Sequence, residues 1–291
     1  MIGMRISGGL GNQMFQYAFV SASSLRKKCT FYLEKTGAPI DLYQYFKLQK
    51  NLFYYIDIVF FNHSGFKLFF SHYLRKPFYT LIHKLFIRNY VSSPKGTDSP
   101  YTLNDVHDDA LFNGYYQSPI YFEDHKAEVV KYFELKDSVV SAYQQKYAFL
   151  KQERKTVTVH VRKSDFLDLS HYNLGGPDLS LPLSYYHHLI SKIHSDDNFY
   201  LFISDMPEII AKEFDYLERK HVSNDSVIND FQHMLYADVC VVANSTFTWW
   251  AAYLNKNPHK LIYCPKYYLG FILKQEYPVG IYPTDWIQVD V

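Results

Sequence analysis

The pattern of hydrophobic and polar positions changes character halfway along the chain. From about residue 156 onward, short β-branched and aromatic runs alternate with segments whose apolar positions recur at helical spacing. This pattern predicts strand 156–161, helix 183–194, strand 199–203, helices 207–214 and 226–236, strand 238–243, helix 246–254 and strand 260–263. Such alternation means a parallel sheet with helices on both faces. The chain opens in the same way. A short strand, 2–7, runs into the turn Gly8-Gly9-Leu10-Gly11-Asn12-Gln13, and a helix follows with Phe15, Phe19 and Ala22 on its apolar side.

Between 30 and 112 the periodicity is lost among aromatic runs such as Phe53-Tyr54-Tyr55 and turn clusters at Gly37-Ala38-Pro39 and Ser92-Ser93-Pro94-Lys95-Gly96. Phe78, Leu81, Ile82, Leu85 and Phe86 keep helical spacing there, with Lys76, Lys84 and Arg88 assigned to other faces. A basic amphipathic helix suits an anionic membrane surface. A domain helix with a solvated charged face is the commoner explanation. Residues 127–150 read as helix and connector. The charged run Lys151-Gln152-Glu153-Arg154-Lys155 marks the expected boundary between an N-terminal α/β domain, 1–150, and a C-terminal Rossmann-like domain, 151–291. The final residues are expected to pack back on the first domain.

Composition narrows the classes. At 291 residues the chain can bury a large core, and 30 basic against 29 acidic side chains argue against a nucleic-acid partner. Three scattered cysteines, Cys29, Cys240 and Cys264, predict neither a disulfide framework nor a zinc site and fit a reducing cytoplasm. No apolar run reaches the ~20 residues that span a bilayer. The expectation is a cytoplasmic protein, with weak peripheral contact at the inner face of the membrane left open.

Chemistry-bearing residues cluster where strands end. His160, Arg162, Lys163 and Asp165 follow the first strand of the second half, Ser204 and Asp205 the second, and Asn244, Ser245 and Thr246 the third. Ligands of open α/β sheets bind beyond these carboxyl ends. Arg162 offers a planar fork suited to a diphosphate, with a strand-end ion pair to Asp165 as the plainer reading. Asp205 can accept from the N1–H and amine of guanine, or can simply precede the helix that starts at Pro207. Asn244-Ser245-Thr246 opens a helix whose N-terminus favours an anion. The Gly8–Gly11 turn lacks the spacing of a dinucleotide fingerprint and of a P-loop. Its Asn12-Gln13 amides can orient hydroxyl groups. Asp168, His171 and Asp178 are within plausible reach of a reacting hydroxyl as general bases, and each is also an ordinary loop residue. Asp-x-Asp is absent from the chain, so Arg162 and a helix N-terminus must carry any diphosphate charge without a metal.

Five colinear motifs together suggest a family. Gly8-Gly9-Leu10-Gly11-Asn12-Gln13-Met14, Gly114-Tyr115-Tyr116-Gln117-Ser118, His160-Val161-Arg162, Ser204-Asp205 and Asn244-Ser245-Thr246-Phe247-Thr248-Trp249-Trp250-Ala251-Ala252 resemble the bacterial α-1,2-fucosyltransferases of glycosyltransferase family 11. The resemblance implies an α/β, GT-B-like fold of two Rossmann-like domains facing across a cleft. It implies inverting transfer of fucose from GDP-β-L-fucose to the 2-hydroxyl of a galactose-terminated glycan, without cofactor or metal, in surface polysaccharide or oligosaccharide synthesis. The implied donor-binding set is Gly9, Gly11, Asn12, Gln13, His160, Arg162, Ser204, Asp205, Asn244, Ser245, Thr246 and Phe247. Arg162, Asn12 and Asp165 are the implied catalytic residues, with Asp168 or His171 as alternatives for the base.

The family's usual His-x-Arg-Arg-Gly-Asp-Tyr becomes His160-Val161-Arg162-Lys163-Ser164-Asp165-Phe166 here, and its Ser-Asp-Asp becomes Ser204-Asp205-Met206. Three other readings stay open. One is transfer of another GDP-sugar or of fucose to a protein hydroxyl. A second is a GDP-sugar- or glycan-binding protein without catalysis, motivated by Lys163 and Ser164. The third is a membrane-associated scaffold using the 76–88 stretch.

Overall fold

The computed structural model describes residues 1–35, 40–61, 66–93, 106–163 and 168–291, with no side-chain detail for 66–72. The chain divides into two units, Met1–Lys136 and Asp137–Val291.

In the first unit, β1 (Ile2–Ile6) leads into α1 (Leu10–Lys27), and β2 (Phe31–Lys35) returns beside β1. Then come α2 (Leu42–Tyr45), α3 (Leu52–Ile56), a π turn at Asp57–Phe61 and α4 (Phe66–Phe86). The strands β3 (Asn89–Ser92) and β4 (Ala110–Asn113) complete a parallel sheet in the order β2-β1-β4-β3. Helix α5 (Lys126–Tyr132) closes the unit. Helix α1 is buried along most of its length, with Phe15, Ala18, Phe19 and Ala22 in the core, and is exposed only at its C-terminal end. Phe19 stacks on Tyr116 at 3.9 Å and meets Phe112 edge-on at 5.0 Å. Aromatic residues, 19% of the chain, thus supply much of this core.

The second unit starts with α6 (Asp137–Lys146) and β5 (Lys155–Val161). It continues through α7 (Leu183–Ile193), β6 (Asn198–Ser204), α8 (Pro207–Glu213), β7 (Lys220–Val222) and α9 (Val227–Leu235). Strand β8 (Val239–Val241), α10 (Thr246–Leu254), β9 (Leu261–Pro265) and β10 (Ile287–Val289) end the chain. All six strands are parallel, in the order β10-β9-β8-β5-β6-β7. The strand order reverses between β5 and β8, as in dinucleotide-binding folds. Val157, Val159 and Val161 face a core with Tyr186, Leu189 and Ile210 from α7 and α8. On the other face Thr158 Oγ1 donates to the His233 carbonyl of α9 at 3.0 Å.

The expected domain boundary is corrected. The division falls at 136/137 rather than 150/151, because α6 packs on α9 of its own unit, where Tyr143 Oη pairs with His233 Nδ1 at 2.9 Å. The charged run is not a linker. Arg154 pairs with Asp197 at 2.9 Å and Arg219 with Glu153, both within the second unit. The chain's last strand also stays there: β10 pairs with β9, with Gln288 opposite Cys264.

Candidate active site

The polar groups of the second unit meet where β5 and β8 end, at the switch in strand order. Strand β5 delivers Arg162. Beyond β8 the chain turns through Asn244 and Ser245 into α10, with Ser245 in extended backbone at the N-cap. Arg162 Nη1 donates to Ser245 Oγ at 3.0 Å, and Ser245 is almost fully buried. That hydroxyl turns to Arg162 instead of capping the N–H groups of its own helix. A guanidinium and a helix N-terminus therefore lie side by side, and both favour negative charge. Burial raises the pKa of the Tyr268 phenol, with Arg162 pulling it the other way, which places this tyrosine in the electrostatic field of Arg162.

The next strand end is tied to the same place. Val161 is in register with Ser204, and the backbone N–H of Lys163 donates to the Asp205 carboxylate at 3.1 and 3.3 Å. Ser204 Oγ accepts from Met206 N at 3.0 Å, which shapes the turn that exposes Asp205. His160 is buried, its ring 6.1 Å from that of Phe247. Phe247 also meets Phe231 at 5.6 Å, so it wedges between the sheet and α9. Thr246, the first residue of α10, is half-buried.

Lys163 has a role that its sequence position alone does not show. Its ammonium donates to the Leu181 carbonyl at 2.9 Å and reaches Ser180 Oγ at 3.5 Å. Asn244 Nδ2 holds the Leu179 carbonyl of the same segment at 2.7 Å. Side chains from the ends of two adjacent strands thus pin residues 179–181. Asp178 accepts from Ser180 N at 2.8 Å and from Ser180 Oγ at 2.6 Å, which engages this base candidate in shaping the turn. Asn244 is buried and braces this segment through its amide nitrogen. Asp168 is exposed and accepts from Ser170 Oγ at 3.2 Å, while the exposed His171 ring lies 4.2 Å from Tyr172. Asp165 and Ser164 lie outside the described residues.

In the first unit the polar groups gather at the ends of β1 and β4. Gly8 adopts φ +76°, and a Cβ there would sit 2.7 Å from the Asn12 amide nitrogen. Gly9 has open space around its Cα, so the N-terminus of α1 is uncovered on that side. Asn12 is half-buried, and its Oδ1 accepts from Gln117 Nε2 at 3.0 Å. Gln13, a donor-binding candidate of the motif, is buried. Its amide donates to the Gly8 carbonyl at 3.1 Å and accepts from Asp41 N at 2.9 Å. Gly11 is likewise buried in the first turn of α1.

Two residues that the sequence reading missed complete this corner. Gln16, fully buried, accepts from Ser7 N at 3.0 Å and donates to the Gly114 carbonyl at 3.0 Å, tying β1 to β4. A glutamine on an otherwise apolar helix side was the available signal. Asp41, half-buried beside Gln13, has its carboxyl pKa raised by burial. No spacing in the sequence pointed to it.

The family model for glycosyl transferase family 11 matches residues 1–289. The O-antigen biosynthesis glycosyltransferase WbnK of Escherichia coli is 23% identical over 293 residues, covering 90% of this chain and 92% of that protein. Among solved structures, fucosyltransferase NodZ from Bradyrhizobium superposes with a TM-score of 0.53 at 11% identity, covering 87% of this chain and 92% of NodZ. A point variant of Arabidopsis thaliana FUT1 in complex with GDP gives 0.52 at 14% identity, covering 90% and 70% of the two chains. These likenesses establish a shared GT-B-like α/β fold with two parallel sheets.

Proposed function

The chain belongs to glycosyl transferase family 11, and from that premise we propose that it transfers L-fucose from GDP-β-L-fucose to the 2-hydroxyl of a galactose-terminated glycan, with inversion. The observation that carries the reading is the hydrogen bond from Arg162 to Ser245 at the β5/β8 switch point. There a permanent cation and the α10 N-terminus can share the charge of a diphosphate. As the bond from the anomeric carbon to the β-phosphate oxygen breaks, negative charge grows on GDP and the fucosyl centre becomes oxocarbenium-like. Arg162 and the 245–247 helix start stabilise that charge. Their own positive ends supply what a bound metal would otherwise provide, so the proposal includes no metal. Asp205, exposed and oriented by Lys163 N–H, is the group proposed to read guanine. In the first unit, Gly9 and Asn12 are proposed to meet sugar hydroxyls.

Lys163, one of the two departures behind the non-catalytic reading, has an internal task in holding the 179–181 segment, while Ser164, the other, lies outside the described residues. That task makes a prediction. Lys163→Met raises the KM for GDP-fucose about tenfold, the worth of one charge-assisted hydrogen bond. The value of kcat changes less, and Lys163→Arg recovers part of the loss. Steady-state kinetics on the three proteins decide it; an unchanged KM in Lys163→Met contradicts the bracing role.

The donor itself is tested by offering GDP-fucose, GDP-mannose and UDP-galactose separately and following release of nucleoside diphosphate. Release from GDP-fucose alone is expected. Equal use of GDP-mannose favours the broader GDP-sugar reading. Fucosylation of a serine- or threonine-bearing domain, with no product on galactosides, favours protein O-fucosylation.

A further inference from the structure

The surface of α4 is built in a way that neither the family nor the proposed reaction explains. The apolar spacing in this segment points to Leu81 and Leu85 as core. The structure instead buries Tyr79 and Ile82, with Phe78 half-buried between them, and leaves Leu81 and Leu85 in solvent at 54% and 61% exposure. Tyr79 Oη donates to the Leu33 carbonyl of β2 at 2.7 Å, which fixes the rotation of the helix on its sheet.

With that rotation fixed, the outer face resolves into two ridges at helical spacing. Leu74, Pro77, Leu81 and Leu85 form one, and Tyr73, Lys76, Thr80 and Lys84 form the other; all eight are exposed. Lysines and leucines therefore lie on the same outward face, which corrects the expectation that they occupy separate ones. Val59 and Phe60, from the π turn that packs on α4 through Phe61 and Phe78 at 5.1 Å, are also exposed.

Charge selects the occupant. Between Leu52 and Arg88 the sequence carries Lys67, Arg75, Lys76, Lys84 and Arg88 against one carboxylate, Asp57. Asp57 is buried and accepts from Tyr43 Oη at 2.7 Å, so it does not offset the exposed Lys76 and Lys84; Arg75 is half-buried, and Arg88 has the Asp109 carboxylate 3.9 Å away. The whole chain is nearly neutral at +1, so the basic character is local. An apolar ridge beside a basic ridge is the pattern of a helix lying in a bilayer interface, with leucines in the acyl boundary and lysines at anionic headgroups. Among the described residues no helix is long and apolar enough to cross a membrane, so the arrangement fits a surface contact.

We propose that the outer face of α4, with the adjoining 59–60 turn, docks the protein on an anionic lipid bilayer.

The test is co-sedimentation of the full chain with phosphatidylcholine vesicles, with and without phosphatidylglycerol. The comparison proteins are Leu81→Glu/Leu85→Glu and Lys76→Glu/Lys84→Glu, each checked for unchanged circular dichroism. The wild type is expected to pellet with the anionic vesicles only and to be released by salt. Each double variant should lose at least tenfold in partitioning while keeping its turnover of a small soluble acceptor. Absence of vesicle binding overturns the proposal, as does binding that survives both double variants. Self-association abolished by the leucine changes, without vesicle binding, overturns it in favour of a second copy. The vesicle readout needs no turnover, so its result stands apart from the fate of the proposed reaction.

Discussion

Replacing Arg162 by alanine is expected to lower kcat by roughly two to three orders of magnitude, the size of losing one preorganised electrostatic group at a developing anion. The expectation rests on the geometry at the end of β5. Arg162 is held at 3.0 Å by Ser245 Oγ, and Ser245 is itself buried at the start of α10. A guanidinium so fixed does not have to reorganise when charge builds on the leaving diphosphate. The loss should fall mainly on kcat, because the α10 N-terminus remains to bind phosphate in the ground state. Arg162→Lys should recover little: a point charge on a flexible stem cannot contact Ser245 and two phosphate oxygens with the same fork. Single-turnover rates for the three proteins measure the chemical step directly. Turnover of Arg162→Ala within a few-fold of wild type would sink the electrostatic mechanism.

The largest stability effect is expected at Trp249. Its indole is almost fully buried and donates from Nε1 to the Ile281 carbonyl at 2.9 Å. The ring stacks on Tyr253 at 4.7 Å and packs against Trp250 at 5.0 Å and Trp286 at 5.6 Å. One side chain thus anchors the segment leading to β10 onto α10, the helix whose N-terminus serves the site. Trp249→Ala should cost about 3–5 kcal/mol, as buried aromatic deletions do. That is a large fraction of the roughly 5–15 kcal/mol that separates folded from unfolded domains. The melting temperature should fall by roughly 6–20 °C for a unit of this size. Trp249→Phe keeps much of the packing but loses the hydrogen bond, so it should fall between the two. Calorimetry on the three proteins checks the order, and an alanine variant that melts with the wild type would contradict the clamp.

The second unit was legible in the sequence because local preference and tertiary demand agree there. Strand β5 is an unbroken run, Val157 to Val161, because a central parallel strand is covered on both faces. Pro207 marks the first turn of α8, and Ser245 marks the start of α10. The strands that escaped notice, β7 and β10, are three residues each at the two edges of the sheet. Lys220-His221-Val222 and Ile287-Gln288-Val289 carry too little apolar pattern to announce a strand. Backbone pairing with a neighbour already in place is enough to order them.

The first unit was less legible for a different reason. Its aromatic residues serve core, turn and surface alike, so their spacing does not say which face is buried. In α4 the choice fell to the Tyr79 hydroxyl and its bond to Leu33, a contact across 46 residues that periodicity cannot register.

Site residues divide in the same way. Arg162, Ser245 and Asp205 could be named because strand ends predict where ligands approach, and the structure joins them through Ser245 and Lys163. Gln13 and Asn244 belong to the same motifs and also hold the backbone, one bonded to Gly8 and Asp41 and the other to Leu179. A short polar motif does not show which member supports the backbone and which faces outward. Lys163 is the complementary case. Read as a departure from the family pattern, it is explained by the Leu181 carbonyl it holds.

The most direct test of the account is a transfer assay on EDTA-treated protein, with GDP-fucose and a terminal galactoside, and the product linkage read by NMR. The account predicts a Fuc-α-1,2-Gal product formed at an undiminished rate in the absence of divalent metal. A product that forms only when metal is restored, or one with fucose at another position, would contradict it.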